Sequence, residues 1–101
     1  MTKSTYHYFF KNLANPIKIQ IISQLNNKEC SVNELANVLG IEQSKLSHAL
    51  SSLRCCNIVT VKQNGKQRVY SLNKETIIPM LNLIDRHEKT FCKACKIKVV
   101  K

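Results

Sequence analysis

The tightest constraint on the fold lies between residues 30 and 56, where "CSVNELANVLG" runs almost directly into "EQSKLSHALSSLRCC". Ser31 with Glu34 three residues on is a capping box, in which each side chain bonds the other's orphan amide. Leu35, Val38 and Leu39 supply the apolar positions of a short helix, and Gly40 supplies its stop. In the second segment Leu46, Ala49, Leu50 and Leu53 recur at three and four, the period of a helix packed on one side. Two short helices joined by a tight glycine-containing turn make a helix-turn-helix, here over about residues 31–56.

The opposite face of the second helix carries Gln43, Ser44, Lys45, Ser47, His48 and Ser51. It lacks the Glu and Lys pairs of a merely solvated helix. Short hydroxyls, an amide and an imidazole can approach base edges and phosphates closely. A plain Ser-rich surface helix is the bland alternative. Then "NIVTVKQNGKQRVYSLN" reads as a hairpin over about residues 58–72. Ile58, Val59 and Val61 are answered by Val69, Tyr70 and Leu72, with Asn64-Gly65 as the turn signal between them. Lys62, Lys66 and Arg68 surround the tip, so the hairpin reads as a basic wing able to lie along a phosphate backbone.

Helices flank this unit on both sides. Tyr6, Phe9, Phe10 and Leu13 fall at helical spacing, and Asn15-Pro16 reads as a cap with Pro at the first helical position. Ile17, Ile21, Ile22 and Leu25 then mark a core helix. After Leu72 the spacing predicts a short turn at 74–77 and a last helix over about 78–92, beginning near Ile78 or Pro79 because Pro disrupts a helix interior. Its stripe is Met80, Leu83, Ile84, His87 and Phe91, and a basic tail fills 93–101. The expected architecture is one mainly α domain with a β-hairpin wing (α+β) over 1–101. A domain this small buries only about 60–65% of its unfolded surface. Two terminal amphipathic helices exceed what its core can cover, so the first and last helices are expected to form a homodimer.

Charge narrows the partner. Sixteen Lys and Arg against six Asp and Glu give a formal charge of +10, which points to a polyanion such as nucleic acid. No apolar run approaches the roughly 18 residues of a membrane span. The opening "MTKSTYHYFFKNLANP" is too polar and aromatic for a signal peptide, so a cytoplasmic location is expected. Five cysteines there imply metal binding, redox chemistry or nothing, rather than structural disulfides. Cys55 and Cys56 close the second helix of the pair, where at least one is expected to pack as a small hydrophobe.

The whole order of elements resembles the ArsR/SmtB family of winged-helix repressors. "FKNLANPIKIQIISQL" is similar to the family's opening, "SVNELANVLGIEQSKLSHALSSLRCCNIV" to its helix-turn-helix, and "KQNGKQRVYSL" to its wing. The resemblance implies a homodimer that binds an inverted-repeat operator in double-stranded DNA and is released by an inducer. It assigns Gln43, Ser44, Lys45, Ser47, His48 and Ser51 to the recognition helix, and Lys62, Lys66 and Arg68 to the wing.

The family's inducer sites are each incomplete here. A Cys-x-Cys site on the first helix of the pair would fall on Ser31 and Asn33, and Cys30 is no substitute alone. An Asp-x-His site on the last helix is matched by Asp85 and His87, but its second half falls on Lys98 and Lys101. A cysteine pair linking the second and last helices is broken at Ser23. What remains is "HEKTFCKAC", in which Cys92 and Cys95 would lie about 60° apart on a helix and can chelate one soft divalent cation such as zinc. His87, about 140° from Cys92, joins only if the helix ends or bends near Thr90. Metal binding, a thiol-disulfide or persulfide switch, and inert thiols all stand as readings of this pair.

No Gly-rich phosphate loop, catalytic carboxylate pair or nucleophile triad is present, and six acids leave little acid-base capacity. The expected function is a regulator rather than an enzyme, its signal metal or thiol-directed. The alternative is an effector-independent winged-helix module binding DNA, RNA or a protein.

Overall fold

The computed structural model describes residues 3–92. In chain order these form α1 (Lys3–Leu13), α2 (Pro16–Asn27), β1 (Cys30–Ser31), α3 (Val32–Leu39), α4 (Gln43–Cys55), β2 (Val59–Asn64), β3 (Gln67–Leu72) and α5 (Ile77–Phe91). The arrangement is a winged helix-turn-helix, as expected from the sequence.

Local chemistry sets most boundaries. Asn15 caps α2 by accepting the amides of Ile17 and Lys18 at 3.0 and 3.2 Å, and Pro16 begins the helix. The capping box at α3 forms as read: Glu34 N–H donates to Ser31 Oγ at 3.2 Å, and Ser31 N–H donates to Glu34 Oε1 at 2.9 Å. The backbone bond from Ser31 is the main reason the Glu34 carboxyl sits below its ordinary range. Gly40 ends α3 at φ +67°, a left-handed conformation that costs a side chain about 1–2 kcal/mol.

One apolar cluster unites the elements. Ile21, Leu35, Leu46, Leu50, Leu53, Ile58, Val59 and Leu72 are all fully buried in it, joined by Cys30 and Ile77. It is this cluster that fixes α4 against α2, α3 and the sheet.

Four features depart from the sequence-based expectation. Cys30–Ser31 pairs antiparallel with Tyr70–Val69, so the hairpin is part of a three-stranded sheet in the order β1-β3-β2. The hairpin connection is Gly65-Lys66, with Asn64 paired to Gln67. Only Gly65 takes a positive φ, +65°, which is the requirement of a turn with Gly at its first central position. The last helix starts at Ile77 rather than Ile78 or Pro79. Pro79 fits inside its first turn, where backbone amides have no intrahelical partner to lose. Finally, Cys55 and Cys56 are both exposed. Leu53 and Ile58 fill the core at that corner instead, and the buried thiol is Cys30.

Candidate nucleic-acid interface

At about 100° per residue, α4 turns Leu46, Ala49, Leu50 and Leu53 to one side and Ser44, Ser47, His48 and Ser51 to the other, with Gln43 and Lys45 on the two flanks. The first set is buried and every member of the second, with Gln43 and Lys45, is exposed. The helix is therefore clamped by leucines and shows a face of small polar groups to solvent. Two of those groups are held by neighbours at its start. Gln43 Nε2 donates to Asn33 Oδ1 of α3, and Ser44 Oγ donates to Glu42 Oε1.

Beside this face lies a groove of about 520 Å³, lined by Asn15, Ile17 and Lys18 at the start of α2 and by Ser44, Lys45, His48 and Ala49 of α4. Lys18 was not anticipated as a neighbour of this polar face, because only packing of α2 across α4 brings the two together. No periodic signal in the sequence encodes that.

The wing carries its cations on both faces. Directly paired residues share a face of a β-ribbon, and successive residues alternate. Lys62 pairs with Val69, whereas Arg68 pairs with Gln63, one step along, so the two basic side chains leave opposite faces. Lys66 occupies the turn between them. Thr60 and Ser71, paired on the Lys62 face, show that alternation directly through a hydroxyl contact of 3.1 Å. All three cations are exposed.

Among the described residues, the effector candidates do not converge. Asp85 and His87 are exposed on α5, and the His87 ring packs on Phe91 with centroids 5.1 Å apart. The helix runs unbroken to Phe91 and is closed by Cys92, whose amide donates to Glu88 O at 3.1 Å. His87 and Cys92 thus stay on different sides. Cys95 lies outside the described residues. Among the described residues, no group of three His, Cys, Asp or Glu side chains could hold a metal ion. Burial pushes the Cys30 thiol up from its ordinary value. Ser31 spends its hydroxyl on the cap of α3.

Comparison with known proteins fits this geometry. The family model for bacterial regulatory proteins of the arsR family matches residues 15–61. The transcriptional activator HlyU of Vibrio cholerae is 32% identical over 84 residues, covering 83% of this chain and 75% of HlyU. The chain belongs to the arsR family. The biofilm growth-associated repressor of Xylella fastidiosa is 34% identical over 74 residues, covering 73% of this chain and 65% of that protein. The crystal structure of Rv0081 from Mycobacterium tuberculosis superimposes with a TM-score of 0.80 at 29% identity, over 90% of this chain and 92% of that one. The chain spans 58–65% of the length of the first curated relatives it matches. No helix among the described residues is long and apolar enough to cross a membrane.

Proposed function

We propose that the protein is a dimeric, sequence-specific DNA-binding transcriptional regulator that represses by occupying an inverted-repeat operator. The observation that carries this is the two-sided character of α4, clamped by fully buried leucines behind a solvent-facing row of small polar side chains. Gln43, Ser44, Lys45, Ser47, His48 and Ser51 read or touch the major groove, and Lys62, Lys66 and Arg68 hold backbone phosphates beside it. Lys18 joins them from the groove wall. A two-fold dimer sets its recognition helices about 34–36 Å apart, one turn of DNA. Repression needs nothing more than occupancy by these elements. Such a regulator works in the cytoplasm, where the DNA is, and has no catalytic step.

The signal that releases it is metal- or thiol-directed. Asp85, His87, Cys92 and Cys95 are the set to test for a metal or thiol response, although the described members do not assemble. Replacing Cys92 and Cys95 by Ser and titrating zinc against operator affinity decides it. An unchanged zinc response in that variant removes the tail as the sensor.

The test of DNA binding is a mobility-shift titration on the protein's own promoter region, against scrambled duplex and single-stranded RNA. Preferential binding of the promoter at about 100 mM salt is expected. Binding to none of the three, or equally to RNA, overturns the assignment in favour of an RNA- or protein-binding module.

A further inference from the structure

Cys55 and Cys56, of which at least one was expected in the core, both line a solvent-open pocket instead. It measures about 390 Å³ and is walled by Tyr8, Lys11, Asn12, Asn15, Lys18, Ser52, Cys55 and Cys56. Cys56 Sγ is not a free side chain in it. Asn12 Nδ2 donates to that sulfur at 3.2 Å and to the Ser52 carbonyl at 3.3 Å. Asn12 Oδ1 accepts from Lys18 Nζ at 2.5 Å and from Ser52 Oγ at 3.0 Å, and Lys18 Nζ also donates to Ser52 Oγ at 2.9 Å. One polar cluster thus joins α1, α2 and the end of α4, with a thiol at its outer edge. Its central cation, Lys18, is also a wall of the groove beside Ser44, Lys45 and His48. Among the described residues, neither Cys92 nor any α5 residue takes part.

We propose that Cys56, flanked by Cys55, is a thiol-exchange site of the DNA-binding unit itself and takes anionic low-molecular-weight disulfides. The Cys56 sulfur attacks one sulfur of R–S–S–R. A Cys56–S–S–R bond forms, the R–S–S–R bond breaks, and R–S⁻ leaves while the Cys56 proton passes to solvent or to the leaving thiolate. The Cys56 sulfur is oxidised, the departing R–S is reduced, and no further oxidant is required. Lys11 and Lys18 on the pocket wall select for negative charge on R. The attached group occupies the space Asn12 crosses to reach Cys56, so Asn12 lets go of the sulfur and of Ser52. Lys18 loses its anchor, and α4 is no longer tied to α1 and α2 at that end. The effect on DNA rests on the function proposed above; the thiol chemistry does not.

Full-length reduced protein is treated separately with 5,5′-dithiobis(2-nitrobenzoate), oxidised glutathione and cystamine. Rates are followed by absorbance or mass shift, and the adducts mapped by peptide mass spectrometry. Cys56 is expected to carry the adduct and to react faster with the two anionic disulfides than with dicationic cystamine. Because the whole chain is basic, two charge reversals separate local from global attraction. Lys11→Glu should slow the anionic reagents at Cys56 roughly threefold or more, whereas the remote Lys62→Glu leaves that rate near its starting value. The glutathione adduct should bind promoter DNA roughly tenfold more weakly and recover on reduction. Cys56→Ser keeps an oxygen for Asn12 to donate to, so it should fold, bind DNA and ignore the disulfide. Adducts confined to Cys92 and Cys95, equal effects of the two Lys reversals, or the same loss of affinity in Cys56→Ser would each overturn the proposal. If unmodified protein fails to bind DNA, the regulator assignment falls, and the rates and adduct map still judge the thiol site.

Discussion

Ser31 shows how much one side chain decides. It is buried, closes β1 and caps α3. Ser31→Ala leaves the Glu34 amide without its acceptor and should cost about 1 kcal/mol, read as a lower urea midpoint at unchanged m-value. Its partner Glu34 has a carboxyl held down chiefly by the Ser31 amide, with Lys28 adding to it. A depressed carboxylate stabilises the folded state above its unfolded value near 4.5, and that contribution is lost as pH falls through the lower folded value. Glu34→Gln keeps a side-chain acceptor that does not titrate. Wild type should therefore be the more stable of the two near pH 7 and lose that advantage below about pH 4.5. An advantage independent of pH would mean the carboxylate charge plays no part. The box was legible because Ser-x-x-Glu is local chemistry. The fate of Cys55 and Cys56 was not, because whether a helix-end side chain faces in or out depends on where α1 and α2 lie.

Among the elements, α2 to α5 could be placed from their apolar stripes to within a residue or two, while α1 begins at Lys3, three residues before the stripe that starts at Tyr6. The parts that could not be placed are those that hydrophobic period does not encode. The two residues of β1 are too few to show alternation, and their pairing with Tyr70 and Val69 is a long-range event. The wing's turn differs by one residue from the Asn-Gly signal because Gly65 alone needs the left-handed conformation. Gly65→Ala should consequently destabilise the protein by about 1–2 kcal/mol, although nothing lies within 4 Å of the added carbon. A melting temperature equal to wild type would contradict that. The opposite-facing cations of the ribbon lead to a second expectation. Lys62 and Arg68 cannot share one phosphate, so Lys62→Ala and Arg68→Ala should weaken binding to all duplexes additively, each lowering the salt slope by about 1. A double variant no worse than the poorer single would place only one face of the wing on DNA.

For the molecule as a whole, the question is what covers the outer helices. Leu83, Ile84 and Phe91 on α5 are 55%, 53% and 75% exposed, and Tyr6 and Phe10 on α1 are 51% and 59% exposed. Full burial of such a side chain is worth about 1.5–3 kcal/mol. The core is already complete without them, since Ile77 at the start of α5 closes it. A face that contributes nothing to the fold of one chain, yet keeps a helical stripe, is best explained by a second copy. Ile84→Glu puts a charge in the middle of that stripe without touching the core. It should turn dimer to monomer in light scattering while leaving the helical circular dichroism spectrum and the thermal transition cooperative. Operator affinity should then fall roughly 100-fold or more, because the second half-site is no longer held at high effective concentration. Binding to a single half-site should change far less. A variant that remains dimeric, or a wild type that is monomeric yet binds the full operator tightly, would place the dimer contact elsewhere and leave this stripe unexplained.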